Sequence, residues 1–290
     1  MTTRQLHVAH LYPDVMSTCG DRGNVAAIVR RCRWRDVGVT VTELGIGDKV
    51  VAADVDIIMI GGGGESRQRQ IAADLYKVKG GAIRDAVAAG TAALAVGGGY
   101  ELFGSFCQPA KGAELRGIGL FNSWTIHHHH ADVTDCADIA QDATTAPARR
   151  DPAVRDPAVR DLVVRWGDDL LVGFENSRGR TYLGTGAIAL GRVVSGRGNN
   201  GDGSEGVRLG SAVGTNLRGP CLPANPALAD VLIGAALRRR YGSDSADLLP
   251  LADGLVCAAR AAAVQRTALI PRRRALGWPW PQRKQAGVGR

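Results

Sequence analysis

The sequence predicts an α/β protein with a mostly parallel central sheet flanked by helices, followed by a hairpin-rich second half. Two observations carry that reading. Short strand-like apolar runs alternate with stretches of helical periodicity through the first hundred residues, and two of those runs end in glycine clusters, where a strand hands over to a helix. At 290 residues the chain can bury a core of this kind without disulfides or metals to hold it.

Taken in order, Leu6, Val8 and His10 alternate with His7, Ala9 and Leu11 as a first strand. After the turn-rich Cys19-Gly20-Asp21-Arg22-Gly23, apolar Val25, Ile28, Val29 and Cys32 recur at helical spacing, with Asn24 as the expected N-cap. Val37, Val39 and Val41 alternate as a second strand, and residues 55–60, apolar but for Asp56, form a run suited to a strand covered on both faces. One helix is expected through Ile71, Leu75 and Val78, and another through Ile83 and Val87, closed by Gly90. A buried strand over residues 92–96 completes the alternation.

Beyond residue 120 the pattern shortens. Residues 162–164, 170–174 and 181–183 read as hairpin strands lining one edge of the sheet. A last helix opens at Asn225-Pro226, runs through Leu228, Val231, Leu232 and Leu237, and ends on Arg238-Arg239-Arg240, whose charges suit a helix C-terminus. Residues 127–161 hold four histidines, His127 to His130, and a duplicated Asp-Pro-Ala-Val-Arg unit; they are expected to be an exposed insertion. The domain expected over residues 1–240 is then followed by a basic extension, 241–290, with an Ala-rich helix and a largely disordered remainder.

Charge and cysteines narrow the function classes. Residues 261–290 carry seven basic and no acidic side chains, so of the net +8 only +1 remains on residues 1–260. A nucleic-acid-binding fold would carry its basic stripe on the folded body, and this body is nearly neutral. The six cysteines show no paired spacing that would mark a zinc ribbon or a disulfide framework. No apolar run has spanning length and no secretory signal pattern opens the chain, so a cytoplasmic protein without membrane insertion is expected.

In an open α/β sheet the site lies where strand C-termini meet helix N-termini. Two loops there are glycine-rich: Gly61-Gly62-Gly63-Gly64-Glu65-Ser66-Arg67-Gln68 and Gly97-Gly98-Gly99-Tyr100-Glu101. Neither ends in the Lys-Ser/Thr of a phosphate-binding loop, and neither fits a dinucleotide fingerprint.

These loops belong to a longer series. Leu11-Tyr12-Pro13-Asp14, Gly20-Asp21-Arg22-Gly23-Asn24, the glycine run to Arg67-Gln68, Gly98-Gly99-Tyr100, Gly173-Phe174-Glu175-Asn176, Gly179-Arg180-Thr181, Gly198-Asn199-Asn200, Gly214-Thr215 and Gly219-Pro220 stand in that order. Over about residues 5–240 the chain thereby resembles class I, CobB/CobQ-type glutamine amidotransferases, and within them the GatD family, glutaminase subunits of lipid II isoglutaminyl synthase. The resemblance implies a flavodoxin-like three-layer architecture and a heterodimer with a Mur-ligase-like, MurT-type subunit. Such a complex takes ammonia from glutamine to amidate the D-glutamate of the peptidoglycan stem peptide. No cofactor is implied for this subunit; ATP and its metal belong to the ligase.

Cleaving a carboxamide needs a thiolate-strength nucleophile, a base to generate it, and N–H donors for the oxyanion. The resemblance places the nucleophile at position 97 and the base at position 218, but here they are Gly97 and Arg218. Glycine has no attacking atom and a guanidinium stays protonated, so a glutaminase-deficient chain is expected. The alternative is a non-catalytic scaffold or regulatory partner of a Mur-ligase-like protein. Gly62, Gly63, Gly98 and Gln68 are the expected oxyanion and substrate-binding positions, and no metal site is assigned. The arginine that would hold the glutamine carboxylate falls near His130 to Asp132, where the sequence has none. Among substitutes, Cys107 lies too far along its helix and Cys221 reads as a buried structural thiol. Glu175-Asn176 reads either as a polariser of a substrate amide or as a hairpin fixture. Trp278 and Trp280 read as local contacts in the tail.

Overall fold

A computed structural model describes residues 4–127, 159–177, 179–243 and 247–269. The first half runs β1 (Gln5–Leu11), α1 (Arg22–Arg33), β2 (Gly38–Leu44), β3 (Ile57–Ile60), α2 (Glu65–Asp74), a π-helical turn (Leu75–Lys79), α3 (Gly80–Ala88), β4 (Ala92–Val96) and α4 (Gly98–Phe103). Then come β5 (Phe106–Gln108), β6 (Leu115–Arg116), β7 (Ser123–His127), β8 (Val159–Trp166), β9 (Asp169–Asn176), β10 (Gly179–Leu183) and β11 (Gly191–Ser195). The chain closes with β12 (Ser204–Glu205), β13 (Val207–Leu209), β14 (Ala212–Thr215), α5 (Cys221–Ala224), α6 (Pro226–Tyr241) and α7 (Gly254–Leu269).

The central sheet has the order β13-β14-β4-β3-β1-β2, with every neighbouring pair parallel except β13 against β14. Because successive strand residues point to opposite faces, each strand splits its apolar residues between two cores. Leu6, Val8, Ile57, Met59, Leu94 and Val96 pack with Ile28 and Cys32 of α1 and with Leu228, Leu232 and Ile233 of α6. Ala9, Leu11, Ile58, Ile60, Ala93 and Ala95 pack on the other side, with Ile71 of α2, Ile83 and Val87 of α3, and Phe103 of α4. This is the expected three-layer α/β architecture.

Three local expectations are corrected. The N-cap of α1 is Asp21, not Asn24; Asn24 is buried inside the first turn, where its Oδ1 accepts a hydrogen bond from the Leu222 N–H (2.9 Å). The two helices expected between residues 65 and 90 are joined by the π-helical turn, whose Lys79 is fully buried and pairs with Asp74 at 2.5 Å. The hairpin segments do not line an edge of the central sheet. They form two four-stranded sheets of their own, β10-β7-β5-β6 and β12-β11-β8-β9. A period-2 pattern shows which face of a strand is buried, but not which sheet receives it.

The Asn225-Pro226 start of α6 is found where expected. The Asn225 side chain does not cap the helix; it accepts from Val172 N–H and donates to the carbonyls of Val172 and Cys221, tying α6 to β9. At the other end Arg239 and Arg240 reach the fully buried Asp56. The Ala-rich helix expected in the extension is α7, although residues 270–290, with Trp278, Trp280 and most of the basic charge, lie outside the described residues. So does 128–158 of the expected insertion. Among the described residues no helix is long and apolar enough to cross a membrane.

Candidate active site at the elbow after the fourth strand

β4 passes into α4 through Gly97, whose φ of 53° and ψ of −116° make the sharp strand-to-helix elbow that presents a side chain above a sheet edge. The turn is held on both sides. Gly97 donates its N–H to the Thr215 carbonyl at the end of β14 (2.8 Å), and its own carbonyl accepts from Glu101 N–H (2.9 Å). The loop after β3 lies against this elbow backbone to backbone: Gly99 N–H donates to Gly61 O (3.2 Å), and a Cβ on Gly98 would collide with Gly63. Glycine is needed on both loops for that close approach.

Arg218 enters from the loop after β14. A two-way bridge to Phe174 of β9 fixes its backbone, with Arg218 N–H on Phe174 O (2.8 Å) and Phe174 N–H on Arg218 O (3.3 Å). Its side chain turns inward and is 7% exposed. A Cβ built on Gly97 would stand 2.7 Å from Nη2 and 2.8 Å from Cζ of Arg218. The guanidinium therefore fills the space above the elbow in which a side chain at position 97 would stand.

The surroundings are charged and tightly shared. Nη1 of Arg218 lies 3.9 Å from Cys19 Sγ, and its Nε is buried without a hydrogen-bond partner. Burial opposes the guanidinium charge, but Cys19, Glu101 and Asp21 outweigh it and raise the Arg218 pKa. Asp21 Oδ2 accepts the Gly62 N–H at 2.8 Å, so this amide of the first glycine loop is already engaged by a carboxylate. Burial raises the pKa of Asp21, against the opposing pull of that amide and of Arg218.

Behind the elbow stands a second cluster. Glu101, 2% exposed, receives Gln68 Nε2 at 2.8 Å, and its Oε2 is 3.0 Å from His127 Nε2 and 3.5 Å from Cys107 Sγ. Burial disfavours the Glu101 charge, yet His127, Gln68 and Arg218 together hold its carboxyl below the usual range. Gln68 also donates to Gly63 O (3.1 Å), while its Oε1 is buried without a partner.

Gly97, Arg218, Gly62, Gly63, Gly98 and Gln68 are thus brought together around one elbow. Sequence reasoning missed the groups that surround them. Cys19 and Asp21 stood only as part of a turn, and Glu101 only as the end of a glycine loop. His127 was grouped with the polar insertion although it is the last residue of β7. Cys107 stands on β5 and not on the helix expected to carry it, because α4 ends at Phe103. Cys107 and Cys221 are fully buried, and burial first, then Glu101 for Cys107 and Asp21 for Cys221, raises both thiols well above their ordinary range. Neither ionises near neutral pH. Glu175 proves to be a hairpin fixture, accepting the N–H groups of Arg197 (2.7 Å) and Gly198 (2.9 Å).

Residues 7–226 match the CobB/CobQ-like glutamine amidotransferase domain. The chain belongs to the CobB/CobQ-like glutamine amidotransferase family. Within it, the chain is 31% identical over 242 residues to the glutamine-hydrolysing lipid II isoglutaminyl synthase subunit GatD of Streptococcus pneumoniae (strain ATCC BAA-255 / R6), covering 83% of this chain and 84% of that protein. It is 30% identical over 237 residues to the GatD subunit of Staphylococcus aureus (strain N315), covering 81% and 86%. A solved structure of PurLQS from Thermotoga maritima superposes loosely, with a TM-score of 0.44 at 12% identity over 89% of this chain and 99% of that one.

Proposed function

We propose that this chain is a glutaminase-deficient GatD-type subunit. In this reading it is a scaffold that docks on a Mur-ligase-like partner and leaves D-glutamate amidation in the peptidoglycan stem peptide to the ligase and to ammonia from elsewhere. The observation that carries the proposal is the Arg218 guanidinium in the volume above Gly97. A thioester mechanism needs sulfur at the elbow, a neutral imidazole beside it, and free N–H donors facing the oxyanion. Position 97 offers no attacking atom, position 218 carries a fixed positive charge, and the Gly62 amide is held by Asp21.

The bodies of the curated relatives align over more than four fifths of this chain, which supports retention of the subunit scaffold. The subunit role comes to this chain through those relatives' names, the Mur-ligase-like partner and the stem-peptide substrate through the resemblance, and the cytoplasmic location through the cysteine pattern and the lack of an apolar spanning run.

The test is ammonia release from glutamine by the purified chain, alone and with a co-expressed Mur-ligase-like protein, beside co-purification of the two. The expected result is stable association without glutamine turnover. Turnover dependent on this chain would overturn the deficiency, and absence of any complex would overturn the scaffold role.

A further inference from the structure

We propose that Glu101, Cys107 and His127 form a binding site for one divalent transition-metal ion of the zinc class. The three donor atoms lie within 4.8 Å of one another and come from three elements, α4, β5 and β7. Glu101 Oε2 is 3.0 Å from His127 Nε2 and 3.5 Å from Cys107 Sγ. Tetrahedral zinc with Zn–O and Zn–N near 2.0 Å and Zn–S near 2.3 Å sets its ligand atoms roughly 3.3–3.5 Å apart, so two of the three edges are already close to formed. A thiolate, an imidazole and a carboxylate are the donor types that zinc and its neighbours select, and two anionic ligands would neutralise the ion in this buried place.

Two further observations point to a cation. His127 Nδ1 lies 3.7 Å from Glu65 Oε1, which sets a carboxylate behind the imidazole at ion-pair distance while Nε2 faces Glu101. Glu65 is itself held, accepting the Ala110 N–H at 2.9 Å. Beside the cluster, Gln68 Oε1 is buried without a partner, and Gln68 Nε2, His127 and Cys107 all crowd onto the same oxygen of Glu101. A cation among these groups relieves that crowding, and its fourth position is left to solvent. Binding exchanges the Cys107 S–H bond for a metal–sulfur bond and the His127 Nε2–H bond, now directed at Glu101, for a metal–nitrogen bond; both protons go to solvent and the ring keeps its Nδ1 proton toward Glu65. The ion would pin β5 and β7 to the helix that follows the elbow, independently of any chemistry at Gly97.

The probe is Co2+ added to the chelator-treated, full-length chain, followed by competition with Zn2+. The expected result is one Co2+ per chain with near-ultraviolet sulfur-to-cobalt charge-transfer absorption, displaced by Zn2+. Cys107→Ser should abolish that band, and Glu101→Gln and His127→Ala should each weaken Zn2+ binding by about tenfold or more. The combined His128→Ala, His129→Ala and His130→Ala variant should keep both band and affinity. Should Cys107→Ser fail to fold by circular dichroism, the affinities of the Glu101→Gln and His127→Ala variants decide. A Co2+ complex without thiolate absorption, an affinity unchanged in Glu101→Gln and His127→Ala, or loss of binding in the triple-histidine variant would overturn the site.

Discussion

Arg218 and Gly97 form one packing unit: Nη2 of the arginine lies 2.7 Å from where a Cβ on the glycine would stand. A side chain at 97 fits only if the one at 218 withdraws. Gly97→Cys alone is therefore expected to give no glutamine hydrolysis and, with the strain of φ at 53°, to lose about 1–3 kcal/mol of stability. Gly97→Cys with Arg218→His removes the steric conflict and supplies an imidazole, and is expected to release ammonia at least about tenfold faster than either single variant. Coupled measurement of ammonia and of denaturant midpoints checks both statements. A Gly97→Cys enzyme as active as the double variant would show that the guanidinium does not block the elbow.

Removing the guanidinium has its own signature. Arg218 is a buried positive charge shared by Asp21 and Glu101; Arg218→Ala leaves Asp21 without it, while Glu101 keeps His127, and should cost about 3 kcal/mol. Arg218→Lys should cost less than Arg218→Ala, since it retains the charge but loses the planar fork. Urea denaturation of the two variants is the measurement, and equal midpoints would show that charge is not what keeps Arg218 in place.

Much of this arrangement was legible in the sequence and part of it was not, for physical reasons. The central strands could be read because a sheet covered on both faces leaves continuous apolar runs, as at Ile57–Ile60 and Ala92–Val96. The tight glycine loop at 97–99 could be read because backbone approach demands glycine at 98 and 99, whereas its role as the elbow was an expectation from the resemblance. Partners across the fold left no such trace. Asp21 is 41 residues from the Gly62 amide it binds, and Cys19 is 199 residues from Arg218. His127 was hidden by its neighbours: four consecutive histidines read as polar surface, yet the first ends a strand and points at a buried carboxylate.

Glu205 should make stability depend on pH. It is fully buried, its Oε1 accepts from Thr215 Oγ1 (2.8 Å) and Asn216 N–H (2.7 Å), and its Oε2 has no partner. Burial pushes its carboxyl up to about 7 from an ordinary 4.5. The folded state thus holds this proton more tightly than the unfolded chain, so its contribution is full below pH 4.5 and is lost as pH rises to about 7. Glu205→Gln keeps the Oε1 acceptor for Thr215 and Asn216 and removes the ionisable group. The variant is expected to be more stable than the parent at pH 8, by roughly 3 kcal/mol at most, and to lose the advantage at pH 4.5. Denaturant midpoints across that range check it; a parallel pH profile in the two proteins would remove Glu205 as the cause.

The segment after α6 is held by a paired-arginine clamp. Arg31 of α1, 5% exposed, donates Nε and Nη2 to Asp230 of α6 (both 2.7 Å) and Nη1 and Nη2 to Asp253 (2.7 and 2.8 Å). Arg35, one turn on, takes Asp230 as well and donates Nε to the Leu249 carbonyl (2.7 Å). Such bidentate contacts are the strong kind, and losing Arg31 leaves Asp253 without its guanidinium. Arg31→Ala is expected to cost about 2–3 kcal/mol. It should also open residues 247–269 to limited proteolysis, whereas Arg31→Lys should retain part of the protection. The hydrogen bond from Arg31 holds the Asp253 carboxyl below its usual range, so its contribution is present above pH 3.8 and is lost as pH falls further. The Arg31→Ala protein should therefore lose less stability than the parent on acidification below pH 4. Cleavage no faster in Arg31→Ala than in the parent would show that the clamp does not hold α7 against the body.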